Sequence, residues 1–194
     1  LAREVEARGF DALWFPEHSH IPVSRRTPWG GREGAPPLPD MYWRSHDQFV
    51  ALTAAAVSTT TLRVGTGIAL LAERDPIVTA KEVATLDHCS GGRVSLGVGY
   101  GWNIEELENH GGSKATRRAV VRERVLAMQA LWAEEEASFD GEHVHLAPAW
   151  AWPKPVQNVR GRTGVPVLVG GSAGPLRFRH IAEFADGWIP VGGA

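Results

Sequence analysis

Between Arg93 and Glu106 the chain reads RVSLGVGYGWNIEE, and this stretch limits the fold more than any other. An apolar run, Val94 to Val98, is bounded by Gly91-Gly92 on one side and by Gly97, Gly99 and Gly101 on the other. A short apolar run framed by glycines reads as a buried strand. Glycines at its exit carry no Cβ, so another backbone or a ligand can come close. A polar, helix-like segment follows. Buried strand, glycine-rich exit and helix make one βα step of a parallel α/β fold, in which ligands sit at the carboxyl ends of strands.

The rest of the chain repeats that step. Residues 1–8 read as a helix tail ended by Gly9, and Ala12 to Pro16 as a short strand leading into Glu17-His18-Ser19-His20. Residues 21–44 form a long loop rich in Pro, Gly and Arg, and loops of that length are usually functional or mobile. Ser45 with Gln48 predicts a capping box for a helix to about Val57. Leu62 to Leu71 is the next strand, with a bulge or close approach expected at Gly65 and Gly67. Asp75-Pro76 opens a helix that stops at Gly91-Gly92. A longer helix is expected over about Thr116 to Glu136, with Val121, Val125, Met128 and Trp132 facing the core. A hairpin around Asp140-Gly141, a strand over Val165 to Val169, a helix from Pro175 and a strand over Gly187 to Val191 complete the chain. Short strands alternating with helices mean a parallel sheet with right-handed crossovers. Periodicity leaves open whether the sheet is doubly wound or part of a (β/α)8 barrel.

Length and composition exclude several classes. The chain has 194 residues, enough for one sizeable domain, and 43% of them are hydrophobic. A net charge of -2 implies no nucleic-acid or membrane-surface partner. Its one cysteine, Cys89, leaves no internal disulfide framework and reads as structural. No apolar run is long enough to span a bilayer. Eight tryptophans are the unusual feature: several fall at strand ends or in loops, where their rings either line a pocket for a flat ligand or simply pack. Leu1 opens within what reads as a helix, and the chain stops just after an apolar run, which suggests a portion of a longer protein.

Three features carry chemistry, each with a plainer alternative. The exit Gly97–Gly101 has the spacing G-x-G-x-G, which is not a dinucleotide fingerprint; a close-packed turn competes with a ligand contact. Gly170-Gly171-Ser172 precedes a helix, so free N–H groups at a positive helix end suit a phosphate as well as they suit a turn. His18 and His20 stand two apart after a strand, so on an extended chain both face one way. A barrel metallohydrolase begins in that manner, but the exits GVGYGW and LVGGSA add no His, Asp or Cys to a metal site. His143 and His145 read as a solvated face.

Taken together, GFDALWFPEH, LRVGTGIALLAERDPIVTAKEVATLDHCSGGRVSLGVGYGWNIEEL, PKPVQ, PVLVGGSA and ADGWIPV resemble the luciferase-like monooxygenase superfamily, and most of all its deazaflavin (coenzyme F420) branch. The resemblance implies a (β/α)8 TIM barrel, of which residues 1–194 hold about strands two to six in one domain, truncated at both ends. It implies FMN or F420 in a cleft at the barrel's carboxyl end, with Gly67-Ile68 as a non-prolyl cis peptide behind the ring. His18 faces that ring as the catalytic residue. Tyr100, Gly101 and Trp102 lie near the cofactor, and Gly170, Gly171 and Ser172 near its phosphate. In the family's sugar-phosphate dehydrogenases a tryptophan follows the histidine and an acid follows the strand-four glycine; Pro22 and Trp102 stand roughly there instead, which leaves the substrate open. The implied activity is hydride transfer between F420 and a small organic substrate, by a cytoplasmic enzyme that is a homodimer at full length. An FMN-dependent monooxygenase and a non-catalytic flavin-binding protein are the alternatives.

Overall fold

The computed structural model describes residues 1–24, 26–29, 34 and 36–191, so part of the long 21–44 loop lies outside the described residues. In chain order the elements are α1 (Ala2–Ala7), β1 (Ala12–Phe15), α2 (Gln48–Val57), β2 (Arg63–Thr66), β3 (Ala69–Leu70), α3 (Pro76–Ser90), β4 (Val94–Gly99), α4 (Ile104–Asn109), α5 (Arg117–Ala133), β5 (Ala137–Asp140), β6 (His145–Ala149), β7 (Asn158–Val159), β8 (Arg162–Thr163), β9 (Val167–Gly171), α6 (Pro175–Phe184) and β10 (Gly187–Pro190). The main sheet is parallel in the order β1-β2-β4-β9-β10, with β3 also paired to β4. Each strand of that path lies beside the one before it, with no reversal of direction across the sheet. A doubly wound sheet has such a reversal at its switch point. The sheet is therefore the curled wall of a half-barrel, and β1 and β10 each pair on one side only.

The core is the space between this wall and helices α2, α3 and α5. Every residue of β4 is buried, as its apolar run requires at the centre of a parallel sheet. On α5, Val121, Val125, Met128 and Trp132 are all buried, and the Trp132 indole N–H donates to the Ala80 carbonyl at 3.0 Å. Arg93, at the foot of β4, donates to the carbonyls of Ala56, Leu62 and Ser90 at 2.6–2.7 Å and so ties the ends of α2 and α3 to the strand. Carboxylates hold the other loops by accepting backbone N–H groups. Glu6 takes those of Thr60, Thr61 and Leu62, Asp87 those of Val156 and Gln157, and Glu123 those of Glu142, His143 and Val144.

Several expectations shift. The cap of α2 is Asp47, which accepts from Val50 N–H at 2.9 Å, and not a box made by Ser45 and Gln48; the Ser45 hydroxyl donates to the His18 carbonyl instead. The expected strand over Leu62 to Leu71 is broken into β2 and β3 at the cis bond Gly67-Ile68. The fourth main strand starts two residues later than its valines suggest, at Val167, because Asp186 Oδ2 accepts the Val167 N–H and fixes the register there. Cys89 is a free, exposed thiol on α3.

The glycines of the sheet are filled space. A Cβ on Gly97 would stand 2.1 Å from the Thr66 carbonyl oxygen, whereas one on Gly99 would stand 1.8 Å from Ile68 Cδ1, the far end of a flexible side chain. Backbone cannot yield as a methyl can. Gly97→Ala is thus expected to lower the unfolding free energy by the larger amount, about 3 kcal/mol or more, and Gly99→Ala by about 1–2 kcal/mol, read from urea denaturation. Equal losses in paired denaturation curves would show that the bulge, not the strand, absorbs both methyls.

Candidate functional site

A cavity of about 560 Å³ opens at the carboxyl ends of the strands. That is a size ordinary for a small-molecule site. All nine residues singled out from the sequence line it: His18, Gly67, Ile68, Tyr100, Gly101, Trp102, Gly170, Gly171 and Ser172. Their elements explain the convergence. His18 follows β1, Gly67-Ile68 joins β2 to β3, Tyr100 to Trp102 follow β4, and Gly170-Gly171 end β9. The floor is Ile68, whose side chain fills the places that Cβ atoms on Gly99 and Gly170 would take.

At the β1 end, strand geometry stops at Phe15, so the two histidines are not on a strand and do not share a face. The preceding Glu17 is pinned to β3, accepting from the Leu70 N–H at 2.6 Å and from Arg74 at 2.5 Å. His18 turns inward and its Nδ1 meets Glu106 Oε2 at 2.7 Å; the side chains are 8% and 0% exposed. The Ser19 N–H donates to the other oxygen of Glu106 at 3.2 Å. His20 lies outside, its Nδ1 on the Ser19 hydroxyl and its Nε2 on Asn109. Among the described residues no group of three or more His, Cys, Asp or Glu could hold a metal ion.

Glu106 escaped the sequence reading. It sits on α4, a six-residue helix inside what looked like a plain polar segment, and nothing local marks it as buried. A second acid missed for the same reason is Glu73, whose side chain is 4% exposed and whose Oε1 has no hydrogen-bond partner among the described residues. Burial first, then the negative charges of Glu106 and Glu17, push its carboxyl up to about 8 against the opposing pull of Arg74. It lies directly under the cavity wall, 3.3 Å from where a Cβ on Gly101 would be.

The β9 end is cationic. Arg117, Arg118 and Arg177 line the cavity, Arg177 standing against Gly171 at the end of β9. Arg118 and Arg177 each stand over the Tyr100 ring, at 6.0 and 5.6 Å from its centroid. Buried Nε atoms of Arg117 and Arg177 have no partner among the described residues. Helix α6 starts at Pro175 without a side-chain cap, so its first N–H groups are unengaged by any cap and face the same end of the sheet. The Tyr100 hydroxyl meets His180 Nδ1 at 2.8 Å. Burial above all holds His180 below its ordinary value, toward the neutral ring that can accept that O–H.

Fold and cavity together define a barrel-type α/β protein with its ligand site at the strands' carboxyl ends. The whole chain, residues 1–194, matches the luciferase-like monooxygenase family, and the protein belongs to it. An uncharacterized protein of Mycobacterium tuberculosis is 49% identical over 190 residues, covering 97% of this chain and 65% of its own length. The F420-dependent glucose-6-phosphate dehydrogenase of Intrasporangium calvum is 30% identical over 195 residues, covering 97% and 52%. Among solved structures, the monooxygenase RslO1 from Streptomyces bottropensis superposes with a TM-score of 0.71 at 26% identity, over 88% of this chain and 46% of that one. An F420-dependent secondary alcohol dehydrogenase, solved with an F420-acetone adduct, shares the fold with a TM-score of 0.77 at 24% identity, over 100% and 53%. The chain thus spans less than two thirds of the mycobacterial relative and about half of the dehydrogenase. None of its helices, among the described residues, is long and apolar enough to cross a membrane.

The buried Glu73 makes stability depend on pH. Its folded value is raised, so the folded chain keeps a proton that the unfolded chain loses near 4.5. Stability from this group is full below that point and is lost as pH rises toward about 8. Glu73→Gln, neutral throughout, is expected to flatten the fall in melting temperature across that window by the equivalent of at least about 1 kcal/mol. Parallel melting curves for the two proteins would show that Glu73 ionises freely.

Proposed function

We propose that this chain carries the cofactor and substrate site of an F420-dependent oxidoreductase, transferring hydride between the deazaflavin and a small organic substrate. The observation that supports it is the polarity of one cavity: a glycine-floored middle, a buried histidine–carboxylate pair on one side, and three arginines in its lining. The residues fit such a cofactor. Gly67, Ile68 and Gly101 leave room for a flat ring against the sheet, with Tyr100 and Trp102 beside it. The unpartnered Nε atoms of Arg117 and Arg177, with Gly170, Gly171 and Ser172 before α6, suit an anionic tail. Three cations favour the longer polyanionic tail of the deazaflavin over the single phosphate of FMN. The cofactor, when bound, supplies the two-electron hydride chemistry.

The protein's own part is proton handling and enclosure. With Nδ1–H given to Glu106, the His18 ring is fixed in orientation, and Nε2 is left to serve the substrate's oxygen as acid or base. Glu106 is a positioning residue, in the manner of the carboxylate behind a catalytic histidine. In the same reading the curled sheet is part of a closed (β/α)8 barrel, and the protein is a cytoplasmic homodimer.

Two measurements test this. Calorimetric titration should show tighter binding of F420 than of FMN; equal or tighter FMN binding would favour an FMN-dependent monooxygenase. His18→Ala should lower kcat by roughly 10²–10⁴-fold while changing cofactor affinity far less. Unchanged turnover with lost binding would make His18 a ring contact and not a proton carrier.

A further inference from the structure

The two ends of the cavity differ in more than charge. Arg118 and Arg177 gather over the Tyr100 ring. Around His18 the cavity is walled by rings and apolar side chains: Pro16, Met41, Tyr42, Leu70 and Trp102. His18, Tyr42 and Trp102 form a cluster, with centroids at 5.4 Å (His18–Tyr42), 5.9 Å (His18–Trp102) and 6.0 Å (Tyr42–Trp102). The Tyr42 and Trp102 planes meet at 87°, edge to face, and Trp29 backs Tyr42 at 5.9 Å. Two polar groups of this wall, Glu17 and Ser45, are already engaged. Glu17 is held by Leu70 and Arg74, and the Ser45 hydroxyl by the His18 carbonyl.

We infer that this end is a substrate subsite for a neutral, flat, apolar carbonyl compound or the matching alcohol, held against the Tyr42 and Trp102 rings with its oxygen toward His18. The inference rests on the oxidoreductase reading above and names its substrate class. A sugar phosphate fits badly, since each hydroxyl laid against a ring wall loses its hydrogen bonds to water without replacement. A quaternary ammonium fits badly for another reason. The rings pack on each other instead of spreading into an open cage, and the three arginines give the same cavity a positive field. An aryl or alicyclic ketone avoids both costs, because its one polar atom is the one His18 can serve.

The probe is 1-tetralone, a flat aryl ketone, titrated into the protein with and without bound cofactor and followed by calorimetry and tryptophan fluorescence. Glucose 6-phosphate and tetramethylammonium are the comparison ligands. Tetralone should bind tightest of the three. Tyr42→Ala should weaken it at least about tenfold, and Tyr42→Phe should retain it within about twofold, since the ring and not the hydroxyl makes the contact. Circular dichroism of both variants confirms that the fold is kept. Tighter binding of either comparison ligand, or a Tyr42→Ala affinity equal to wild type, overturns the subsite. Cofactor titration of the same samples reports separately. Loss of tetralone binding with F420 still bound sinks the subsite and spares the oxidoreductase reading. Tyr42-dependent tetralone binding with neither cofactor bound sinks that reading and leaves the subsite standing.

Discussion

Ile68 resting on glycine is the contact on which the site depends. Its Cδ1 lies where a Cβ on Gly99 would be, and its Cγ2 is 2.8 Å from where one on Gly170 would be. Neighbouring strands thus surrender side chains so that the β2–β3 junction can lie flat across the sheet's carboxyl edge. Thr66 completes the junction: its hydroxyl donates to the Gly97 carbonyl at 2.6 Å, while its own carbonyl occupies the space above Gly97. A floor built this way is rigid, because close-packed interiors do not deform gradually. The cavity above it inherits that rigidity.

The walls are held by charge instead. The long loop after His20 is latched to α4, where Glu105 accepts the Arg26 and Thr27 N–H groups at 2.6 and 3.1 Å. Burial alone would raise the Glu105 carboxyl, but hydrogen bonds from Thr27 and Arg26 hold it at about 2. The neighbouring Glu106 turns the other way and holds His18. One short helix therefore fixes both the loop that carries Tyr42 and the histidine that Tyr42 faces. Glu73 beneath adds a neutral acid rather than a third negative charge, which keeps the crowd of carboxylates around His18 tolerable.

Much of this was legible in the sequence because glycines and caps act locally. Asp75-Pro76 and Gly91 bound α3 as expected, with Asp75 accepting from Ile77 and Val78 and Gly91 at φ 66°. The glycine exits of β4 and β9 were visible for the same reason: only a missing side chain allows what stands there. The α2 cap was misread because Ser45-x-x-Gln48 and Asp47 compete within three residues, and only the tertiary contact of Ser45 with His18 decides between them. Glu106 and Glu73 were invisible because a buried carboxylate looks like a surface one until its partner, 88 residues away in the case of His18, is brought to it.

The division of labour between floor and walls also says where change is tolerated. A substitution on the floor meets backbone, as at Gly97, or the side chain that fills the junction, as at Gly99 and Gly170. A substitution at Tyr42 or Met41 meets only other loop side chains, since Tyr42 is half-buried and Met41 exposed in a segment outside the sheet. The glycine floor of the cavity is thus coupled to fold stability, and the Tyr42 wall is not. The arrangement leaves a loop whose attachment is electrostatic free to vary above a sheet whose packing leaves no freedom.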